Sequence, residues 1–381
     1  MKRIALLGST GAIGKRVLEA VDRYPEEYKI VSLCCGKNAK LLGEQIRKYK
    51  PEVAGLYNPE NAFEVGNMPK ETVLYTGEHA MEHCVTENAD LVFVAVVGFC
   101  GLKGVLCALE NKKNVALANK EALVAGGELV TSLAQKNGCE IIPVDSEHSA
   151  IWQALGFNRF AEFKKLIITA SGGALRDVPL DKLKYATAAD ALKHPNWQMG
   201  AKITIDCATM FNKGLEVIEA TRLFGCGRDK IEVLVHPESA VHSMVVFNDN
   251  AVMAQIARPS MALPVQLALS YPERKPCAVE EFDFTAGAFH FSPPDLKRYP
   301  CFSLALAALD EGGVMPCAAS GANEQAVELF LRGAIAFTDI EYYIKAAMDG
   351  CENAQLTYEN LARTDYIARQ TVLRKFKEKQ I

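Results

Sequence analysis

Short apolar runs alternate with stretches of helical spacing through the first 144 residues. The runs lie at residues 4–7, 30–33, 53–56, 72–75, 91–97, 114–118 and 140–144. Strands that alternate with helices are typical of a parallel, doubly wound sheet, so we expect an α/β domain over residues 1–146. The run at 91–97 has no polar face, which predicts a strand that is buried on both sides.

Three glycines follow the first apolar run and precede a helical stretch. The segment reads Gly8, Ser9, Thr10, Gly11, Ala12, Ile13 and Gly14. A strand, a tight turn and a helix N-terminus in this order form the cradle that binds a dinucleotide pyrophosphate. The spacing is Gly-x-x-Gly-x-x-Gly rather than Gly-x-Gly-x-x-Gly, so the inference rests on the strand-to-helix context. We therefore expect a Rossmann-type domain that binds a dinucleotide through residues 8–14.

The second strand runs into a loop that indicates which dinucleotide binds. The loop contains Gly36, Lys37 and Asn38, and it lacks the acidic residue that holds a ribose 2′-hydroxyl in NAD-preferring folds. Lys37 could pair with a 2′-phosphate, and Asn38 could hydrogen-bond to it, which favours NADP. The alternative is that Lys37 is a solvated loop charge.

Composition narrows the class of protein. With 381 residues, 49% hydrophobic and 23% charged, the chain suits two or three ordinary globular domains. The net charge of -4 gives no overall basic field, so we expect no nucleic-acid partner. The 12 cysteines form no Cys-x-x-Cys pair and are expected to be reduced thiols. There is no bilayer-length apolar run and no room for a leader before the first strand, so we expect a cytoplasmic protein without a membrane partner.

The remainder of the chain divides by its patterning. Apolar runs at residues 165–169, 202–206, 231–235, 244–247 and 252–256 predict strands of a central α/β domain over residues 147–270. Frequent prolines predict a linker over residues 271–300. Helical spacing returns over residues 301–381, with Thr338-Asp339 as a helix start and Gly350 as a stop, so we expect a C-terminal helical domain.

Acidic residues after the strand at 140–144 predict a metal site. On an extended chain, residues two apart project to the same side, so Asp145 and Glu147 can converge. Two convergent carboxylates repel each other unless a cation lies between them, and oxygen ligands suit Mg²⁺ or Mn²⁺. The alternative is a solvated loop with two acids.

A third acid comes from a later segment. Asn212 and Lys213 lie in a loop that enters a helix, and both are candidate phosphate donors. Glu216 is expected in the first turn of that helix, as the remaining metal ligand. The alternative for Glu216 is a carboxylate that only stabilises the helix dipole.

Residues 171–200 have little strand character and predict a mobile lid. Gly172 and Gly173 can absorb backbone changes, and Thr187 with Asp190 predicts a capping box for a short helix that ends at His194-Pro195. Trp197 would exclude water from a bound substrate. The alternative is a structural loop in which Trp197 is anchored in the core.

One short motif points elsewhere. Residues 79–83 spell His-x-x-Glu-His, a zinc motif of some metallopeptidases. The segment lies between two strands of the dinucleotide domain, far in sequence from the other candidate sites. We therefore interpret it as a surface helix with two histidines.

Together the motifs resemble one family, the 1-deoxy-D-xylulose 5-phosphate reductoisomerases. The matching segments are residues 8–14, 36–38, 118–121, 143–148, 170–173, 194–197 and 210–216. They occur in the family's order, and the tail has the length of the family's C-terminal helical domain. The resemblance implies an NADPH- and divalent-metal-dependent enzyme that makes 2-C-methyl-D-erythritol 4-phosphate in the non-mevalonate isoprenoid pathway, working as a homodimer on a small phosphorylated sugar.

The resemblance also implies roles for particular residues. The metal ligands would be Asp145, Glu147 and Glu216, and Lys120 would contact the reacting oxygens. The substrate would be held by Ser146 at a hydroxyl, by Ser171, Asn212 and Lys213 at the phosphate, by His194 beside it, and by Trp197 above it. On the cofactor side the resemblance places Asn119, Glu121 and Met261.

One position departs from the family pattern. Cys207 stands where the family usually has a serine that is expected to touch the phosphate, and a thiol is a weaker donor. Two other functions stay open at this point. One is another NADP-linked oxidoreductase such as a semialdehyde dehydrogenase, which needs an activated cysteine. The other is a regulatory protein that binds the cofactor without catalysis.

Overall fold

The computed structural model describes residues 1–158, 160–285 and 287–380. The predicted linker and C-terminal segment include Ala286 and Ile381, which lie outside the described residues. The chain forms two compact units. The first contains Met1–Ala122, Val130–Ser146 and Met261–Val279, and the second contains Leu123–Leu129, Glu147–Ser260 and the chain from Glu280 onward.

The elements are numbered in chain order. The strands are β1 (Lys2–Leu7), β2 (Tyr28–Cys35), β3 (Val53–Leu56), β4 (Val73–Thr76), β5 (Leu91–Val94), β6 (Asn114–Leu117), β7 (Ile141–Pro143), β8 (Lys165–Ala170), β9 (Ile231–Val235), β10 (Val241–Val246) and β11 (Val252–Ile256). The helices are α1 (Ala12–Arg23), α2 (Ala39–Tyr49), α3 (Ala80–His83), α4 (Gly101–Glu110), α5 (Lys120–Asn137), α6 (Ser146–Ala154), α7 (Ala188–Ala191), α8 (Ala201–Ala208), α9 (Phe211–Phe224), α10 (Ala262–Ser270), α11 (Pro300–Glu311), α12 (Met315–Leu331), α13 (Asp339–Asp349) and α14 (Tyr358–Gln380).

The first unit contains the predicted doubly wound sheet. Its seven strands run in the order β4-β3-β2-β1-β5-β6-β7, and the paired strands are all parallel. Strand β1 lies between β2 and β5, so the order reverses there and the carboxyl ends of these strands form the usual ligand-binding crevice. Strand β5 is fully buried, as its apolar sequence predicts, although it ends at Val94. The Rossmann-type fold is confirmed.

The second unit contains a four-stranded mixed sheet and a helical region. The strand order is β11-β10-β8-β9, with β8 and β9 parallel and β10 antiparallel to both of its neighbours. Helices α8, α9 and α11 to α14 enclose one apolar core, which includes Phe211, Leu215, Phe330 and Tyr343. The expected C-terminal helical region is therefore confirmed. Among the described helices, none is both long and apolar enough to cross a bilayer.

The strand predicted at residues 202–206 is wrong, because this segment lies in helix α8. Its Lys-Ile-Thr-Ile-Asp alternation imitates a strand. In the helix, Lys202 Nζ lies 2.7 Å from Asp206 Oδ2, an i,i+4 ion pair of the kind that helical geometry favours. Ile205 is buried in the apolar core of the second unit, so tertiary packing outweighs the local alternation.

Candidate active site

The glycine-rich turn joins β1 to α1 in the predicted manner. Gly8 has a φ of +94°, and a Cβ added to it would lie 2.5 Å from the Ala95 carbonyl oxygen. A Cβ on Gly14 would lie 2.2 Å from the Gly8 carbonyl oxygen. Helix α1 has no acidic residue in its first turn, and its Gly11 cap provides no side chain. The turn therefore leaves the helix N-terminus open to a negatively charged group.

Some of the predicted nucleotide-binding side chains are engaged within the protein. Ser9 is buried, and its hydroxyl donates to Gln45 Oε1 at 2.7 Å. Asn38 caps α2 through its Oδ1, which accepts from the Leu41 amide at 3.2 Å. Lys37 is exposed, so both a role with a 2′-phosphate and the solvated alternative stay predictions.

Asn119 fastens the turn between β6 and α5. Its Nδ2 donates to the carbonyl oxygens of Val96 at 3.1 Å and Gly98 at 3.0 Å, and to Glu121 Oε2 at 3.1 Å. Its Oδ1 caps α5. Asn119 and Glu121 thus shape the turn, and their contact with a cofactor stays a prediction, as does that of Met261 at the start of α10.

Within the first unit, the predicted catalytic lysine lies against a predicted metal ligand. Lys120 Nζ is 2.6 Å from Asp145 Oδ2, and both side chains are nearly buried. The Ser146 amide also donates to Asp145 Oδ1 at 3.0 Å. The structure therefore fixes the Asp145 carboxylate from two sides.

The geometry assumed for the acids after β7 is wrong in one respect. The chain is not extended from Asp145 to Glu147, because α6 begins at Ser146 and places Glu147 in its first turn. The helix starts early because Ile151 and Trp152 bury their side chains in the second unit. The two acids are kept near each other by chain connectivity rather than by strand geometry.

The assumed positions of the later residues are also wrong by one turn. Asn212 and Lys213 do not lie in a loop but in the first turn of α9. The helix begins directly after Met210, and Met210 itself has a left-handed conformation with a φ of +54°. Glu216 consequently lies in the second turn. The helix dipole acts mainly on the first turn, so the dipole-only alternative for Glu216 is wrong.

Helix α9 presents Asn212, Lys213 and Glu216 on one face, because residues three and four apart are neighbours. Asn212 Nδ2 and Lys213 Nζ donate to the two oxygens of the Glu216 carboxylate. Lys213 Nζ also lies 2.7 Å from Glu147 Oε1. Burial alone would lower the pKa of Lys213, but the Glu147 and Glu216 carboxylates outweigh it and raise the pKa above its usual value.

This face has the donor set of a hard-cation site. The Lys213 ammonium contacts both carboxylates, and Glu216 is just 1% exposed. Asn212 Oδ1 is buried and, among the described residues, accepts no hydrogen bond. Carboxylate and amide oxygens are the ligands that Mg²⁺ and Mn²⁺ prefer.

The predicted lid segment, residues 171–200, holds Ser171 in a defined hydrogen-bonding state. His194 Nδ1 accepts the amides of Asn196 at 3.2 Å and Trp197 at 3.0 Å, so the proton lies on Nε2 and is donated to Ser171 Oγ at 2.9 Å. Ser171 Oγ also accepts the Gly173 amide at 3.2 Å. With both lone pairs engaged, the Ser171 hydroxyl is left to act as a donor, which suits a phosphate oxygen.

The other lid predictions have mixed outcomes. The capping box of Thr187 and Asp190 is confirmed, but the helix it starts ends at Ala191 rather than at His194-Pro195. Trp197 is half-buried, and its ring meets the ring of His242 edge-on at 5.8 Å. Cys207 lies near the end of α8 and is half-buried, and its contact with a phosphate stays a prediction.

A buried pair that the sequence did not reveal supports the acidic face. His148 Nε2 donates to the Glu216 carbonyl oxygen at 2.8 Å, and His148 Nδ1 lies 3.2 Å from Glu219 Oε2. The carbonyl only accepts, so the Nε2 proton faces the backbone of α9 and Nδ1 faces the Glu219 carboxylate. The pair fastens α6 to α9, which carry Glu147 and Glu216. The only sign of this pair in the sequence was that Glu219 lies three residues after Glu216.

The His-x-x-Glu-His segment forms the short helix α3, as interpreted from the sequence. His79 is exposed and lies 3.0 Å from Glu82 Oε1 through Nδ1. The ring of His83 stacks on Tyr75 with centroids 4.0 Å apart. The two histidines thus have different neighbours.

Fold and site together define a class: α/β enzymes with a Rossmann-type nucleotide-binding sheet and a carboxylate-rich site for a hard cation. Family models agree on the member of that class. A model of 1-deoxy-D-xylulose 5-phosphate reductoisomerase matches residues 4–127, and models of the C-terminal domains of the same enzyme match residues 141–224 and 256–371. The chain belongs to the 1-deoxy-D-xylulose 5-phosphate reductoisomerase family.

Individual relatives match almost the whole chain. The reductoisomerase of Rippkaea orientalis is 43% identical, over 98% of this chain and 96% of the relative. The reductoisomerase of Thermosynechococcus vestitus is 44% identical, over 98% of this chain and 92% of the relative. The solved structure of the Zymomonas mobilis enzyme in complex with NADPH superimposes with a TM-score of 0.91 at 34% identity, covering 98% of this chain and 99% of that one. A reductoisomerase structure in complex with NADPH, fosmidomycin and magnesium gives a TM-score of 0.93 at 35% identity, covering 99% and 98%.

Proposed function

We propose that this chain catalyses the NADPH- and divalent-metal-dependent isomerisation and reduction of 1-deoxy-D-xylulose 5-phosphate to 2-C-methyl-D-erythritol 4-phosphate, a step of non-mevalonate isoprenoid synthesis. Family membership over 98% of the chain supports the reaction. The observation that links this reaction to particular residues of the chain is the buried contact of Lys213 with Glu147 and Glu216.

The metal ligands in this proposal are Asp145, Glu147 and Glu216. Asp145 is separated from Glu147 by a single residue, so the short covalent link keeps the two carboxylates close. A bound Mg²⁺ or Mn²⁺ would act as a Lewis acid on the substrate carbonyl during carbon–carbon cleavage and rejoining. The three carboxylates provide the oxygen ligands and negative charge that such a cation requires.

The chain's own groups would orient the reacting end of the substrate. The Lys120 ammonium, held by Asp145, can donate to an oxygen that gains negative charge. The Ser146 hydroxyl, next in the chain, can hydrogen-bond to a substrate hydroxyl. NADPH, bound at residues 8–14 and 36–38, would supply the hydride that reduces the rearranged aldehyde.

Other groups would hold the phosphate end. The Ser171 hydroxyl has its lone pairs engaged and is a donor, and Asn212 and Lys213 add an amide and an ammonium. His194 fixes Ser171, and Trp197 would shield the substrate from water. Binding energy from the phosphate, which does not react, can then be used to orient the reacting carbons.

Two of the cysteines that the alternative function, a semialdehyde dehydrogenase, could use as a nucleophile are poorly suited to that role. A semialdehyde dehydrogenase needs a thiolate nucleophile. Burial instead raises the pKa of Cys35 to about 11 and that of Cys226 to about 11. A thiol with a raised pKa is a weak nucleophile at neutral pH.

We further propose that the enzyme is a cytoplasmic homodimer that pairs through β11. Strand β11 is an edge strand, and Val252 and Met253 on it are 54% and 55% exposed. An exposed apolar edge strand offers unpaired backbone groups as a template for pairing with another chain. Val252→Lys should convert a dimer to a monomer in sedimentation, and an unchanged dimer would exclude this edge as the interface.

The proposed cytoplasmic location has separate support. The 12 cysteines are free thiols, which supports a reducing compartment.

The reaction is tested by mixing the purified chain with NADPH and 1-deoxy-D-xylulose 5-phosphate and following nicotinamide absorbance. We expect oxidation of NADPH with Mn²⁺ or Mg²⁺ and none after addition of a chelator. No oxidation with any divalent metal, from folded protein that still binds NADPH, would contradict the proposed substrate.

A further inference from the structure

The loop that carries Ser171 depends on two consecutive glycines in left-handed conformations. Gly172 has a φ of +79° and Gly173 a φ of +72°. Gly173 lies so close to α8 that an added Cβ would be 2.5 Å from the Ala208 Cα. Glycine adopts this conformation without steric strain but loses much conformational entropy when it is fixed, so neighbouring groups must hold the loop in one conformation.

Side chains capture the carbonyl oxygens of this loop one after another. Arg176 Nη1 donates to the Ser171 carbonyl at 2.7 Å. Tyr299 Oη donates to the Gly172 carbonyl at 3.0 Å. Arg298 Nη1 donates to the carbonyls of Leu175 at 3.1 Å and Val178 at 2.7 Å, further along the same segment.

Two of these donors, Arg298 and Tyr299, come from the chain that immediately precedes α11, the first helix of the C-terminal region. Tyr299 is only 3% exposed, so its hydroxyl has little access to water. Burial raises the pKa of Tyr299 to about 12, and the hydroxyl therefore keeps its proton and remains a donor.

The consequence reaches Ser171. With the Gly172 carbonyl held by Tyr299, the peptide plane between Gly172 and Gly173 is fixed, and its Gly173 amide donates to Ser171 Oγ. That amide is one of the two donors that leave the Ser171 hydroxyl as a donor. Rotation of this peptide plane would release the Ser171 lone pair.

We propose that Tyr299 is a positioning residue for phosphate recognition, acting through the Gly172–Gly173 peptide on the Ser171 hydroxyl. This inference rests on the proposed function, and it links the C-terminal helical region to the specificity of the site. It extends the phosphate-recognition apparatus to a residue that does not touch the substrate.

Tyr299→Phe removes only the hydroxyl and keeps the buried ring. We expect the KM for 1-deoxy-D-xylulose 5-phosphate to rise about fivefold, the effect of losing one hydrogen bond of ordinary strength. The KM for NADPH should not change. The matched control is Tyr343→Phe, which removes the hydroxyl of a buried tyrosine in α13 and should leave both KM values unchanged.

A double-mutant cycle separates this role from a general effect on folding. If Tyr299 acts through Ser171, then Tyr299→Phe should change the substrate KM much less in a Ser171→Ala background than in the wild type. Full additivity of the two changes, or a Tyr299→Phe enzyme with wild-type KM, would overturn the inference. Wild-type protein that does not convert the substrate would instead contradict the proposed function.

Discussion

The ammonium of Lys213 lies 2.7 Å from the Glu147 carboxylate. It also contacts the carboxylate of Glu216, which lies one turn further along the same helix. It thereby holds together two acids from α6 and α9 that would otherwise repel each other. A cation bound by the same carboxylates must compete with this ammonium for them. In the proposed site, the lysine and the metal would therefore be electrostatically coupled.

Replacing Lys213 tests this coupling. Lys213→Met removes the competing charge and keeps most of the side-chain volume, so we expect Mn²⁺ to bind about tenfold more tightly, equal to about 1.4 kcal/mol. The affinity is measured from the electron paramagnetic resonance of free Mn²⁺, without substrate. Lys345→Met, on the exposed face of α13, serves as the control. Unchanged or weaker Mn²⁺ binding would contradict the coupling.

Glu216→Gln keeps the shape of a proposed metal ligand and removes its charge. We expect turnover to fall at least about 100-fold, because the metal loses a ligand that supports its action as a Lewis acid. NADPH binding, followed by nicotinamide fluorescence, should be retained. The exposed Glu311 provides the control variant Glu311→Gln. If Glu216→Gln turned over at the wild-type rate, Glu216 would not be a metal ligand.

Gly14→Ala tests the dinucleotide cradle. The added Cβ would lie 2.2 Å from the Gly8 carbonyl oxygen, so the turn must move. We expect NADPH to bind at least about tenfold more weakly, since overpacking of this kind costs about 1–3 kcal/mol. Gly287→Ala is the control, because its Cβ would meet no atom within 4 Å. Equal NADPH affinity in both variants would argue against a close backbone approach at Gly14.

The lid should loosen in acid because of His194. Burial, and secondarily the charge of Arg176, lowers the pKa of His194 below its ordinary value of 6.5. Well above pH 6.5 the imidazole is neutral in both the folded and the unfolded state, and its contribution to stability is fully present. As the pH falls through the lowered pKa, the contribution is lost, because the unfolded chain takes up the proton first.

The measurement is the thermal unfolding midpoint between pH 7.5 and pH 5. We expect a shallower decrease for His194→Gln than for the wild type, since the variant lacks the titrating group. His79→Gln, an exposed histidine on α3, should follow the wild-type curve. Parallel curves for His194→Gln and the wild type would show that His194 does not stabilise the lid.

Asp206 is a buried charge that should be important for stability. It is 1% exposed, lies 2.7 Å from Lys202 Nζ and accepts from Asn323 Nδ2 at 2.8 Å. Asp206→Ala removes a buried carboxylate that contacts both the lysine and the amide, and we expect a loss of about 3 kcal/mol in the free energy of unfolding. Urea unfolding measures it, with the exposed Asp349→Ala as the control. A loss below about 0.5 kcal/mol, the usual effect of surface changes, would contradict this role.

The amino-acid sequence by itself determined the Rossmann-type sheet, the glycine turn and the family. Strands such as β1 and β5 are buried on both faces, so their apolar runs are visible without any partner. The glycines at 8 and 14 are required by local backbone approach, which also leaves a sequence signature.

Only the tertiary structure decided the details of the acidic site. Residues 202–206 form a helix because their burial in a helical core outweighs a strand-like alternation. Glu147 lies in a helix rather than on an extended chain, and Glu219 meets His148 across 71 residues of sequence, as their numbers in the chain show. Tyr299 reaches Gly172 from 127 residues away. Such contacts depend on how separate elements pack, and a local pattern carries no information about a partner that is distant in the chain.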